Sequence, residues 1–151
     1  VGDAANVANS LIEICTKLGI NIALACPKGY QPTEEFIEAG RKNCLESGAE
    51  LVVTESIEEA VKNADVLYTD IWVSMGKEDE AQKRFKDLKD YQINDAVVKM
   101  ANKNCIVMHC LPAHRGEEIT DDVIEGPHSV VFDEAENRLH AQKAIMALTM
   151  R

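Results

Sequence analysis

Apolar positions recur along the chain at two alternating periods. Val7, Leu11, Ile14 and Leu18 are spaced by four, three and four residues, which marks one face of a helix closed by Gly19. Ile20 to Cys26 then reads as a buried strand stopped by Pro27. Thr33 is placed to cap a helix whose first turn holds Glu34 and Glu35, and Gly48 ends that helix. Leu51-Val52-Val53 predicts a second short strand, and Ser56 with Glu59 forms a capping-box pattern for a third helix. Val66 to Thr69 is the next strand. Residues 77–103 carry mixed charge and predict two helical pieces, around 78–88 and 94–102. Cys105 to His109 is a strand, Thr120 to Glu125 a brief helix and Ser129 to Phe132 a last strand. The final helix is expected from near Glu134, with Ala141, Ala144, Ile145 and Leu148 on its apolar face.

Strands that are apolar on both faces and alternate with amphipathic helices predict an α/β fold. The expected architecture is a Rossmann-like, doubly wound parallel sheet flanked by helices. In such sheets ligands lie beyond the carboxyl ends of the strands. Five junctions therefore carry the candidate chemistry: Asp3–Asn6, Cys26–Tyr30, Asp70–Gly76, His109–Gly116 and Asp133–Arg138.

Composition narrows the function. The 151 residues include 16 Lys plus Arg and 26 Asp plus Glu, a net charge of −10, with 46% hydrophobic and 28% charged residues. This suits one soluble globular domain with a real core. A surface so acidic repels phosphate backbones and anionic lipid, so no nucleic-acid or membrane partner is expected. No apolar run approaches the ~20 residues of a spanning helix. The chain opens Val1-Gly2-Asp3, without an initiator Met or a leader, and is expected to be a piece of something longer. Five cysteines, none in a Cys-x-x-Cys pair, argue against a disulfide framework and for a reducing compartment.

Each junction offers a functional and a plainer role. Gly2-Asp3-Ala4-Ala5-Asn6 lacks the glycines of a dinucleotide fingerprint, and the second strand ends without an acidic ribose ligand. Asn6 could present its amide to a polar ligand or cap the helix. Asp70 could grip an ammonium group or take a proton, or cap the next turn. Cys110, flanked by His109 and close to Arg115, could be a partly ionised thiol or a buried small residue. Cys105, His109, Cys110 and His114 cluster in sequence, but not at the spacing of a zinc site. Glu134 and Arg138, four apart, suit a surface salt bridge; Arg138 near a helix start would also suit an anion.

The strings DIWVSMG, HCLPAHRGEEI and FDEAENRLHAQKA occur in this order, with GDAANVANSL at the start and PKGYQP between. Together they closely resemble the ornithine carbamoyltransferases. The resemblance spans residues 1–151 and corresponds to the C-terminal, ornithine-binding domain, with the N-terminal carbamoyl-phosphate domain absent. It implies that Asn6 binds the α-amino/carboxylate end of L-ornithine. Asp70 would hold the ornithine amino groups, and Ser74 and Met75 would complete the pocket. Cys110 would lie beside the reacting δ-amine. Leu111 would contact the carbamoyl amide, with Leu111-Pro112 a cis peptide. Arg138 would bind carbamoyl phosphate. The family commonly has Gly-Asn where Ala4-Ala5 stand, which alters the turn before Asn6.

The implied reaction, in arginine metabolism, moves the carbamoyl group from carbamoyl phosphate to the δ-amine, giving L-citrulline and phosphate. An alkyl amine has a pKa of about 10.4, so the site must bind the neutral form or remove a proton. Asp70 and a thiolate at Cys110 are the acceptor candidates. The resemblance implies no cofactor and no metal, a cytoplasmic location, the enzyme's own N-terminal domain as partner and a homotrimeric complete enzyme. The isolated domain is expected to be inactive. The alternatives are a non-catalytic amino-acid-binding domain, or a carbamoyltransferase acting on putrescine or acylated ornithine. The first strand is expected to be truncated at Val1, leaving a gap in the middle of the sheet that a neighbouring chain fills or that lowers stability.

Overall fold

The computed structural model describes residues 1–74 and 76–150. Helix α1 (Asn6–Lys17) leads into strand β1 (Ile22–Ala25), α2 (Glu34–Ser47), β2 (Leu51–Thr54), α3 (Ile57–Val61) and β3 (Val66–Thr69). A 3₁₀ turn (Glu78–Glu80) precedes α4 (Ala81–Leu88) and α5 (Asp95–Met100), followed by β4 (Ile106–His109), α6 (Asp121–Ile124) and α7 (Val131–Thr149).

The strands pair as two separate two-stranded parallel sheets rather than as one continuous sheet. β1 pairs with β2 from Ile22–Leu51 to Ala25–Thr54, and β3 pairs with β4 from Val66–Ile106 to Thr69–His109. Between them lie Val1 and Gly2. The Val1 nitrogen donates to the Tyr68 carbonyl at 2.9 Å and the Gly2 N–H donates to the Ala25 carbonyl at 2.9 Å. The Thr69 hydroxyl donates to the Val1 carbonyl at 3.0 Å. The expected gap is thus narrowed by the chain's own first residues, which bond to a strand on each side. All the strands run parallel and helices connect them, as the alternating pattern predicts.

Local signals explain most boundaries. Gly48 ends α2 in the left-handed region (φ 79°), where a glycine carries no Cβ penalty. The Ser56 hydroxyl accepts the Glu59 N–H at 3.2 Å, as the capping box predicts. Its reciprocal half runs through Thr54, which donates to Glu59 at 2.6 Å and accepts the Ser56 N–H at 3.1 Å. Thr33 precedes α2 in extended backbone without a side-chain cap bond.

Two expectations at the C-terminal end are corrected. Ser129 to Phe132 is not a strand: Ser129 makes a single bridge to Val107, and α7 already begins at Val131. Consecutive apolar β-formers do not distinguish a buried strand from the buried start of a helix. The predicted apolar face of α7 is also uncovered. Val131 is buried, whereas Ile145 and Leu148 are 58% and 80% exposed.

The core has two parts. Val107, Ile93, Ile119, Val123, Val131 and their neighbours pack around β4. Ile12 and Leu24 pack between the helices and β1. Here Gly40 lets α2 approach closely: a Cβ there would meet the Leu51 and Ile12 side chains at 2.7 and 2.8 Å.

Candidate functional site

The site is built where β3 and β4 end. Because Thr69 and His109 are register partners, the next residues, Asp70 and Cys110, emerge together. Asp70 is half-buried and its Oδ1 accepts the Ile71 N–H at 2.7 Å. Burial first, and the adjacent Asp70 carboxylate second, push the Cys110 thiol up to about 12. A thiol so raised keeps its proton at neutral pH, which weighs against the thiolate considered from sequence.

The reason is the orientation of the neighbours that sequence places beside Cys110. His109 is buried, and its Nε2 lies 3.0 Å from Glu118 Oε1. Its Nδ1 accepts the Leu111 N–H at 2.9 Å and its own N–H donates to Glu134 Oε2 at 3.0 Å. Arg115 pairs with Asp121 at 2.8 Å and with Glu125. His109 and Arg115 are thus both engaged elsewhere. Leu111 adopts a left-handed φ of 54° and the Leu111–Pro112 bond is cis, as the resemblance implies.

The other wall is anchored by charges that periodicity did not single out. Arg84 on α4 is 3% exposed and donates to the Asp3 carboxylate and to the Trp72 carbonyl. Its guanidinium lies 5.0 Å from the Tyr30 ring centroid, a cation–π distance. One buried side chain therefore ties together the Gly2–Asp3 turn, the PKGYQP segment and the loop after β3. Trp72 is buried in that loop and meets Phe85 edge-on, with ring centroids 6.2 Å apart. Ser74 is half-buried, its carbonyl accepting the Lys77 N–H at 3.1 Å. Met75 lies outside the described residues.

Asn6 is exposed as the first residue of α1; Ala5 holds the capping position, so the capping role is set aside. Among the described residues its amide has no hydrogen-bond partner. Arg138 is exposed and, among the described residues, has no carboxylate within 4.0 Å. The Glu134–Arg138 pair does not form because Glu134 accepts the Tyr68 hydroxyl at 2.6 Å and the His109 N–H. Since α7 begins at Val131, Arg138 also lies two turns into the helix, away from its free N–H groups.

The four-residue zinc cluster does not converge. Cys105 is buried 3.8 Å from His128 Nδ1, and His109 faces Glu118. Among the described residues His114, Glu117 and Glu118 bring ligand-type atoms within 4.8 Å of one another. Glu118 Oε1 is already committed to His109 and to the His114 N–H at 2.6 Å, so the loop's own bonds account for that grouping. No described helix is long and apolar enough to cross a membrane.

Comparison with known proteins agrees with the resemblance. The ornithine carbamoyltransferase of Thermococcus kodakarensis is 55% identical over 150 residues, covering 99% of this chain and 48% of that protein. The solved ornithine carbamoyltransferase structure from Pyrococcus furiosus is 53% identical with a TM-score of 0.94, covering 99% of this chain and 48% of that one. The structure of the Gloeobacter violaceus enzyme gives 46% identity and a TM-score of 0.91, covering 100% of this chain and 50% of that one. The chain spans about half the length of the curated relatives it matches. The family model described as aspartate/ornithine carbamoyltransferase, Asp/Orn binding domain, matches residues 1–149, and the chain belongs to that family.

Proposed function

We propose that this chain is the ornithine-binding part of an enzyme that transfers the carbamoyl group of carbamoyl phosphate to the δ-amine of L-ornithine, releasing L-citrulline and phosphate. The observation that carries the proposal is the pairing of Asp70 with Cys110 at the carboxyl ends of β3 and β4, next to the left-handed Leu111. The δ-amine must lose a proton to attack the carbonyl carbon, and Asp70 is the available base because Cys110 holds its own proton. Cys110 then offers an S–H donor or a soft contact to the reacting groups. Leu111 would turn its carbonyl to the carbamoyl N–H groups. Asn6 and Ser74, with Met75, would hold the α-amino and carboxylate end of ornithine. Arg138, unpaired by any described carboxylate, would meet the phosphate.

The partner that completes the site is the enzyme's own N-terminal domain, in a cytoplasmic homotrimer. Support comes from α7, where Leu139, Ile145 and Leu148 are 58%, 58% and 80% exposed on a helix that adjoins the site through Glu134. An adjoining domain would bury such a face. Arg138 alone cannot neutralise carbamoyl phosphate, so turnover needs cationic donors from that other half.

Citrulline formation is the test. The 151-residue chain alone is expected to give no appreciable turnover, and the same chain joined to a carbamoyl-phosphate-binding half is expected to be active. In the joined enzyme R138A should raise KM for carbamoyl phosphate by roughly tenfold or more. Turnover with putrescine or N-acetylornithine but not ornithine would overturn the substrate assignment.

A further inference from the structure

We propose that Tyr68 is a positioning residue: by holding the Glu134 carboxylate against the ends of β3 and β4, it keeps Arg138 unpaired for the phosphate of carbamoyl phosphate. The role of Arg138 rests on the carbamoyl-transfer function proposed above; the hold on Glu134 does not.

On its own helix Arg138 has one carboxylate that competes with an incoming anion. Side chains three and four positions apart on a helix are neighbours. Those so placed around Arg138 are Glu134, Ala135, Ala141 and Gln142, so Glu134 is the only carboxylate among them. A glutamate four residues before a basic residue is also the favourable order for a helix ion pair. Every residue of α7 from Ala135 to Thr149 is exposed, so packing does not block that pair.

The pair is absent because both Glu134 oxygens are engaged on the strand side. Oε1 accepts the Tyr68 hydroxyl at 2.6 Å and Oε2 accepts the His109 N–H at 3.0 Å. Hydrogen bonds to an ionised carboxylate are about twice as strong as neutral ones. Burial first, and the Glu134 carboxylate second, hold the Tyr68 hydroxyl above its ordinary pKa, so it remains a donor. The His109 N–H belongs to the backbone of β4 and is offered whatever side chain stands at position 68. Tyr68 is therefore the half of the hold that a side chain supplies. Removing its hydroxyl leaves Oε1 of a half-buried glutamate without a donor, near the charge of Asp70. Turning outward, the carboxylate exchanges one amide for water and Arg138. An arginine so paired meets the phosphate with its charge already balanced. A tyrosine on β3 thereby governs whether a cation on α7 is available.

The experiment uses the chain joined to its carbamoyl-phosphate-binding half, with citrulline kinetics and a crystal structure of each variant. Tyr68→Phe keeps the ring and removes the hydroxyl. It should raise KM for carbamoyl phosphate by roughly three- to tenfold and leave KM for ornithine within about twofold of the parent. Adding Glu134→Gln removes the competing charge and should return KM for carbamoyl phosphate to within about twofold of the parent. A merely structural role for the hydroxyl would not be rescued by this second loss. In the crystal, Glu134 should lie on Tyr68 in the parent and on Arg138 in Tyr68→Phe. Ala135→Glu is an independent check on the exposed face, where folding is not at stake. A carboxylate there, three residues from Arg138, should also raise KM for carbamoyl phosphate, and Ala135→Gln should not. An unchanged KM for carbamoyl phosphate in Tyr68→Phe overturns the proposal, as does a KM that stays raised after Glu134→Gln. A Glu134 that stays on the His109 amide in Tyr68→Phe, or an Ala135→Glu enzyme that behaves like the parent, overturns it equally. If Tyr68→Phe does not fold, the parent structure and the two Ala135 variants decide the matter. A parent that makes no citrulline, with Glu134 on Tyr68 in its crystal and on Arg138 in that of Tyr68→Phe, would refute the function proposal and leave the hold standing.

Discussion

Asp70 and Cys110 stand side by side because Thr69 and His109, the residues before them, are parallel register partners at the ends of β3 and β4. The two are forty positions apart in sequence, and each alone has a plain structural explanation. Brought together and half-buried, they form an acceptor next to a protonated thiol, with the thiol held up to about 12 by burial first and by Asp70 second.

This pairing predicts an order of thiol reactivity. Alkylation of Cys110, followed site by site by mass spectrometry, should be slow at mildly alkaline pH because the thiolate is scarce. Asp70→Asn removes the neighbouring negative charge while burial remains, so the Cys110 pKa falls and alkylation should accelerate severalfold, up to roughly tenfold. An unchanged or slower rate in D70N would mean that the carboxylate does not act on the thiol.

Stability should decline in alkali, and Cys26 gives the window. Burial raises its thiol from 9.0 to about 11 in the folded chain. A raised folded value means the folded state keeps a proton that the unfolded state releases. The stabilisation is full below pH 9 and is lost as pH climbs towards 11. For this buried thiol the loss is roughly 2 kcal/mol across the interval; Cys110 adds a smaller contribution because it is partly solvated. Urea titrations at about pH 7 and about pH 10.5 should therefore show a smaller alkaline loss for Cys26→Ala than for the parent. Equal losses in both proteins would remove Cys26 as the cause.

The Asp3–Arg84 ion pair is buried, with side chains 10% and 3% exposed. Asp3→Ala leaves Arg84 buried without its carboxylate and should cost about 3–5 kcal/mol. Because Arg84 also holds the Trp72 carbonyl and covers Tyr30, the tryptophan emission of D3A should shift before global unfolding. A change below about 1 kcal/mol in chemical denaturation would show that solvent or Glu80, whose carboxylate lies 3.8 Å from Arg84, replaces the partner.

Gly40→Ala tests the close approach of α2 to α1 and β2. In an open helix the change to alanine helps by about 1 kcal/mol. Here the new Cβ would press on Leu51 and Ile12 at 2.7 and 2.8 Å, so a net destabilisation of about 1–3 kcal/mol is expected. A higher melting temperature for G40A would contradict this packing.

Much of the architecture was determined by sequence alone, because local rules govern it. The spacing of Val7, Leu11, Ile14 and Leu18, the stop at Gly48 and the Ser56 cap each depend on residues within a few positions, and α1, α2 and α3 follow them. The alternation of apolar runs with helices set the parallel α/β class, and the ordered strings at the strand ends pointed to the family. Tertiary structure decided the rest. Whether Ser129 to Phe132 pairs as a strand or starts a helix depends on what packs against Val131. Whether His109 activates Cys110 depends on Glu118, which claims the ring from nine residues away. Whether Glu134 meets Arg138 depends on Tyr68 and the His109 amide, which hold it first. A buried polar group must find a partner wherever the fold offers one. That partner is chosen by strand register and burial, which join residues far apart in the chain and leave no local pattern to read.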